Sequence, residues 1–378
     1  MTNVVDTPTD EHIVLDAINK FIPELLRNKS SDQCPNASSL KQDIAQCAQM
    51  GFIDAHISTR LNGLGLSSQI QWEIIRQLSC HNPGFALSYL AHSILITQNI
   101  IVHNQDPKNT SILQQLRRGD VLGCCAISEP GAGSDVMSMK TTAVSCTGGY
   151  ILNGEKTWIT NAPYADYALV YAKLTTAKSR DLGVFLVNCQ QENVQQSKPL
   201  EKIGMHSSPT GTLYFQQTFV PEHNRIDRGN AKAILFEQLH FERLMLSAGP
   251  VGIMDYAFNK TRQYTKLREQ FSKPLNKHGQ IQAILANMWT KYQSSIALCE
   301  KALQHQHKLG KIPPQWAAGS YLHAAEAAVE LCEDAIQCHG ANGYIPQTLL
   351  GQYWQDAKLY TIGGGTSEIR RSIISQNI

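Results

Sequence analysis

Residues 121 to about 220 read differently from the chain on either side, and that break most limits the folds open to this sequence. Within it, short runs rich in Val, Thr, Tyr and Phe (167–171, 184–187, 213–219) alternate with turn signals at Gly148-Gly149, Asn153-Gly154 and Asn161-Ala162-Pro163. That is the pattern of a small β module. Before it, Ile13, Leu15, Ile18, Phe21 and Ile22, and then Ile70, Ile74, Ile75 and Leu78, recur at helical spacing, with breaks at Asn62-Gly63-Leu64-Gly65 and Asn82-Pro83-Gly84. After Pro221 the helical period returns. Met254, Ala257 and Phe258 open one amphipathic run, and Ile281, Ile284, Leu285 and Met288 open another. Residues 317–338 are Ala-rich, which permits close helix packing. The expectation is a mainly α chain with a central β domain: N-terminal helices (1–120), a middle β domain (121–225) and a C-terminal helical bundle (226–378).

Charge and cysteine usage narrow the function. With 33 basic against 31 acidic residues the net charge is +2, and no Lys/Arg block or basic-aromatic stripe occurs. A nucleic-acid partner is therefore not expected. The most apolar stretch, 86–102, carries Ser, His, Thr, Gln and Asn, so it reads as a buried helix and no membrane span is expected. Residues 1–10 hold two acids and no basic leader, and the ten cysteines form no C-x-x-C pair. Reduced thiols and a cytoplasmic location are expected. His305 and His307 are two apart on a helix and face different ways, so no metal site is expected.

Four clusters bear on chemistry, and each has a plain structural alternative. The loop 128–135, Ser-Glu-Pro-Gly-Ala-Gly-Ser-Asp, offers backbone N–H groups and hydroxyls to an anion or a heterocycle edge, or is simply a tight turn. Alternation puts Trp158 and Thr160 on one strand face, which suits an aromatic cofactor or a core Trp. Residues 149–157 evoke a P-loop, but Glu155 separates Gly154 from Lys156 and breaks it. Glu242 falls on or beside the apolar stripe of Leu235, Leu239 and Leu246, so it is either salt-bridged or kept for proton transfer. Residues 362–371, Ile-Gly-Gly-Gly-Thr-Ser-Glu-Ile-Arg-Arg, lead three glycines into a helix start, with no Rossmann context.

In order and spacing, these clusters together with 153–162, 241–252, 268–271, 337–344 and 356–371 resemble the acyl-CoA dehydrogenase superfamily from about residue 40 to the end. The resemblance implies an N-terminal helical domain, a middle β-barrel and a C-terminal four-helix bundle, assembled as a homotetramer that binds FAD. By that resemblance, Ser128 and its loop, Gly133 and Ser134 included, contact the flavin pyrimidine edge. Trp158 covers the isoalloxazine and Thr160 lies near its N5 edge. Arg268 and Phe271 reach the pyrophosphate and adenine of FAD held mainly by a neighbouring subunit; Gln337 and Gly340 line the same ADP half. Thr366 and Glu368 meet FAD near its pyrophosphate.

Most members carry a catalytic Glu just before the Gly-Thr of the last cluster. Here that position is Gly364, which has no side chain. A minority, isovaleryl-CoA dehydrogenase among them, place the base where this chain has Glu242. The implied reaction is removal of an α proton by Glu242, with the Gly364 N–H on the thioester oxygen and a hydride passing to flavin N5. Departures from the common pattern are His206, Ser272, Gly279 and Gln355. They point to a specialised member. On overall resemblance, the leading substrate is a prolyl group on a carrier protein, with a short branched-chain acyl-CoA as the alternative. A flavin-free scaffold is the non-enzymatic alternative. Reoxidation would use oxygen or an electron-transfer flavoprotein. His206 is either a cation beside the flavin or a loop histidine.

Overall fold

The computed structural model describes residues 8–27, 31–104, 106–175 and 181–378. The leader reading at 1–10 falls largely on residues outside that set. The N-terminal helices are α1 (Pro8–Leu26), α2 (Ala37–Gln49), α3 (Ser68–His81) and α4 (Pro83–Leu90). After α4 comes a π-helical segment (Ala91–Thr97), which runs into α5 (Gln98–His103); α6 (Thr110–Arg118) follows. Asn82 starts α4 by accepting from the Phe85 N–H at 3.0 Å, with Pro83 in the first turn. The rod Pro83–His103 has the length and hydropathy of a membrane span, but 78% of its apolar 18-residue window is buried inside the fold. It is a core element, as its polar residues implied.

The middle strands are β1 (Gly123–Ala126), β2 (Thr142–Cys146), β3 (Gly149–Thr160), β4 (Tyr167–Leu174), β5 (Leu182–Asn188), β6 (Val194–Gln196) and β7 (Thr210–Pro221). They form one curled sheet in the order β1-β4-β2-β3-β7-β6, with β5 on the other edge of β4. One turn assignment fails: Asn153-Gly154 lies inside β3. The register with β7 shifts between Leu152 and Gly154, so the pair forms a bulge. Gly154 has φ +149, and a Cβ there would stand 2.4 Å from Thr141 Oγ1, so only glycine fits.

The remaining elements are α7 (Ala231–Leu246), α8 (Ala248–Leu267), the hairpin β8 (Glu269–Gln270) and β9 (Lys273–Pro274), α9 (Gly279–Leu309), α10 (Pro314–His339), α11 (Leu350–Tyr360) and α12 (Ser367–Ser375). The first and last helical segments share one hydrophobic core, which runs from Ile18, Ile74 and Leu78 to Met254, Ala324 and Tyr353. A half-buried ion pair, Arg76 to Asp255 at 2.6 Å, also joins α3 to α8. The sheet has its own core around Val170, Phe185 and Phe215. A third cluster, including Ile96, Tyr171 and Leu235, packs the sheet against the π segment and α7. That seam positions the site.

Candidate active site

At the outer end of β3 the strand breaks its alternation. Lys156 and Thr157 both face inward, the register with β7 shifts between Lys156 and Ile159, and Trp158 takes φ +62 with 65% of its surface exposed. A left-handed aromatic facing solvent is strained and leaves a large flat face uncovered. Thr160 lies on the same outer side, half-buried. The loop after β1 is stitched beside this bulge, because the Thr157 N–H donates to Ser128 O at 2.9 Å. Its first part is indeed a tight turn, with Glu129 and Ala132 exchanging backbone hydrogen bonds. Gly133 and Ser134 stay exposed beyond it.

A buried pair fixes both pieces from below. Lys156 Nζ donates to Glu129 Oε1 and to Ile127 O, each at 2.8 Å, and Glu129 also accepts from the N–H groups of Lys140 and Thr141. Burial would raise the Glu129 carboxyl, but Lys156 and these N–H groups hold it below the usual range. Burial pushes Lys156 down to about 8 even against Glu129.

Glu242 sits on α7 without a salt bridge or hydrogen-bond partner among the described residues. Its sequence neighbour Arg243 is turned away: Nε donates to Gly364 O at 3.0 Å, and Nη1 lies 3.3 Å from His240 Nδ1. Burial raises the Glu242 carboxyl to about 7, against the pull of Arg243 and Arg370. The Gly363–Gly365 turn packs beside the same helix. Gly363 O accepts from Tyr321 Oη at 2.9 Å and from Arg370 Nη2 at 2.7 Å, and the Arg370 guanidinium lies 3.5 Å over the Tyr321 ring. These side chains occupy the carbonyls, and the Gly364 and Gly365 N–H groups have no acceptor among the described residues.

One helical turn before Glu242 on α7, Gln238 closes the seam with the sheet. Its Oε1 accepts from Tyr171 Oη at 2.5 Å, and its Nε2 donates to Leu95 O at 3.2 Å and to Cys125 Sγ at 3.3 Å. Cys125 is three residues before Ser128, so the flavin-type loop begins within about 10 Å of this contact.

The other sequence-predicted residues form a separate group. Arg268 caps α8 and is exposed, and Phe271 is 91% exposed at the tip of the β8–β9 hairpin. Phe271 and Ser272 take φ +50 and +58, paired left-handed conformations of the kind that favour glycine at the second place of a tight hairpin turn. Gln337 and Gly340 are exposed at the end of α10, held near Arg268 by stacking of Tyr264 on His339 at 4.2 Å. Tyr321, against the Gly364 turn, is sixteen residues before Gln337 on α10, about 24 Å away. Within one chain the two groups do not meet. Thr366 caps α12, accepting from the Ile369 N–H at 3.3 Å, and Glu368 is exposed in the first turn. The backbone at its own position and the Thr366 hydroxyl hold the Glu368 carboxyl below its usual range. His206 follows Met205, whose N–H donates to Asp356 of α11, and its Nδ1 is buried without a partner among the described residues. No His/Cys/Asp/Glu group suited to a metal occurs among the described residues, and all ten cysteines are free thiols.

Residues 124–218 match the acyl-CoA dehydrogenase middle domain and residues 232–378 its C-terminal domain. The chain is 36% identical over 368 residues to the mitochondrial isovaleryl-CoA dehydrogenase of Arabidopsis thaliana, covering 96% of this chain and 90% of the relative. The chain belongs to the acyl-CoA dehydrogenase family. Its fold also superposes on the prolyl acyl carrier protein oxidase AnaB (TM-score 0.88, 25% identity, 98% and 99% coverage) and on the FAD complex of PigA (TM-score 0.90, 25% identity, 100% and 98% coverage). It is accordingly an FAD-dependent oxidoreductase of acyl thioesters. The site fits that cofactor: an exposed aromatic plane, a half-buried hydroxyl and an open Gly-rich loop converge at the end of β3, and the space around Gly131 and Gly133 is clear of other atoms.

The sequence reading missed Gln238, Tyr321, Arg370 and the Lys156–Glu129 pair. Gln238 had a signal, since it precedes Glu242 by four residues on an otherwise apolar face. The others are contacts between distant segments. Gly364 has φ +65, and a Cβ there would stand 2.5 Å from Leu246 Cδ1 and 3.1 Å from Tyr321 Cε1. Gly364→Ala is therefore expected to cost about 1–3 kcal/mol, read from a shifted denaturant midpoint with unchanged slope. A midpoint equal to that of the wild type would contradict the fit described.

Proposed function

We propose that Glu242 is the base that removes the α proton of a short acyl thioester, and that the Gly364 N–H holds the thioester oxygen as negative charge develops there. The observation that carries this reading is a carboxyl that has no partner among the described residues and is raised to about 7 by burial, next to a turn whose N–H groups have no acceptor among those residues. Arg243 orients the turn through Gly364 O and does not neutralise the carboxylate. FAD, when bound against Trp158 and Thr160, supplies the hydride acceptor. Such a site has no use for a scaffold without flavin.

For the acyl group we favour a short branched chain, on the 36% identity to an isovaleryl-CoA dehydrogenase over almost the whole chain. The likeness to prolyl carrier protein oxidases, at 25% identity, supports the prolyl group as the second reading. The exposed Arg268, Phe271, Gln337 and Gly340 support a homotetramer in which these residues reach the FAD of a neighbouring subunit. Anaerobic mixing of holoenzyme with isovaleryl-CoA and with prolyl carrier protein decides between the substrates, since the true one bleaches the flavin. Bleaching by neither would overturn both. Hydrogen peroxide released in air would identify oxygen as acceptor; its absence, with turnover restored by electron-transfer flavoprotein, would identify the protein acceptor.

The base must be ionised to act, so kcat/KM for flavin reduction is expected to rise tenfold per pH unit below about 7 and level off above it. Stopped-flow reduction between pH 5.5 and 9 tests this. A flat profile across that window would remove Glu242 from the role.

A further inference from the structure

We infer that Gln238 sets the length of acyl group the enzyme accepts, by plugging the inner end of the pocket with a side chain whose polar atoms are all engaged. This rests on Glu242 as the base. Gln238 and Glu242 project from one face of α7, and helical side chains lean towards the N-terminus, so the Glu242 carboxyl lies over the turn that carries Gln238. An acyl group with its α-carbon at Glu242 has two inward directions. Towards α10 the space is filled, because Leu246 and Tyr321 already crowd the Gly364 position. The other direction runs along α7 towards the sheet, where Cys125 and Tyr171 are buried.

Gln238 crosses that second path. Its three hydrogen bonds go to three different elements: Tyr171 on β4, Leu95 in the π segment and Cys125 on β1. At 2.5, 3.2 and 3.3 Å they tie α7, the π segment and the sheet together at this one side chain. Leu95 O lies in the π-helical segment and also accepts from Asn99 Nδ2 at 3.0 Å. Both Gln238 N–H groups are thus committed, and no free donor meets the substrate there. The pocket end is closed, saturated and suited to a small apolar acyl group.

The test uses FAD-loaded enzyme and a series of CoA thioesters: isovaleryl, butyryl, hexanoyl and octanoyl. In the wild type, kcat/KM is expected to fall roughly 10-fold or more from isovaleryl to hexanoyl. Gln238→Ala should raise the hexanoyl-to-isovaleryl ratio by roughly 10-fold or more, mainly through KM. Gln238→Met keeps the volume without the hydrogen bonds and should keep the short-chain limit. The inference is overturned if the wild type accepts octanoyl-CoA as well as isovaleryl-CoA, whatever the variants do. It is also overturned if the ratio is unchanged in a flavin-loaded Ala variant, or if Met lengthens the range as much as Ala. A wild type inactive on every thioester in the series would instead count against the substrate reading.

Discussion

Glu242→Gln is expected to give a folded protein that keeps FAD but reduces it roughly 10²–10⁴-fold more slowly when mixed with substrate. Gln is close in size to Glu, and among the described residues Glu242 makes no ion pair whose loss would disturb α7, so the expected defect lies in chemistry and not in folding. The neighbouring charges sharpen the case. Arg243 and Arg370 act on the carboxyl without touching it, and burial outweighs them to leave its pKa at about 7. A carboxyl locked to either guanidinium would titrate far lower and would be a poor base at neutral pH. Single-turnover stopped-flow measures the effect apart from reoxidation. Flavin reduction near the wild-type rate would show that some other group takes the proton.

Lys156→Met should have the largest effect on stability, a loss of about 3–5 kcal/mol. The lysine is wholly buried, as is most of Glu129, so removing the cation strands a carboxylate inside the sheet. That carboxylate anchors the start of the loop 128–135, while Lys156 belongs to the strand carrying Trp158. The variant should therefore also lose flavin on purification, seen as a lower ratio of flavin to protein absorbance. Lys156→Met with Glu129→Gln removes the stranded charge and should recover part of the lost stability. Normal melting and full flavin content in the single variant would mean that the pair contributes neither to the fold nor to the cofactor face.

The gross architecture was legible because it is written in local periodicity: helical spacing in Ile70, Ile74, Ile75 and Leu78, alternation in residues 213–219, and turn residues between. The proposed chemical centre could be inferred from the sequence for another reason. Gly364 without a side chain and Glu242 on an apolar face only make sense together. Where the reading failed, geometry decided matters that spacing does not carry. Asn153-Gly154 looks like a hairpin turn in isolation, but its partner strand β7 continues past it and turns it into a bulge. Lys156 and Glu129 are 27 residues apart, and Gln238 meets Cys125 across 113, so nothing in a local window links them. The buried Arg370 was hidden in the same way: its partners are the carbonyls of Tyr360 and Gly363, which any sequence would provide.

The wider turns at Ala91–Thr97 hold about one more residue than regular winding needs over the same rise. In an ordinary helix each residue advances the rod by about 1.5 Å and rotates it by about 100°. Because the widened turn takes up the extra residue, dropping one amino acid here would restore regular winding and leave α4 and α5 nearly in phase. Dropping one from the regular stretches on either side would instead turn one end of the rod by roughly that angle relative to the other. Single-codon changes of length are thus better absorbed at Ala91–Thr97 than in α4 or α5, and the carbonyls of Ser88 and Leu95, which hold Asn161 and Gln238, are the contacts that would report the difference.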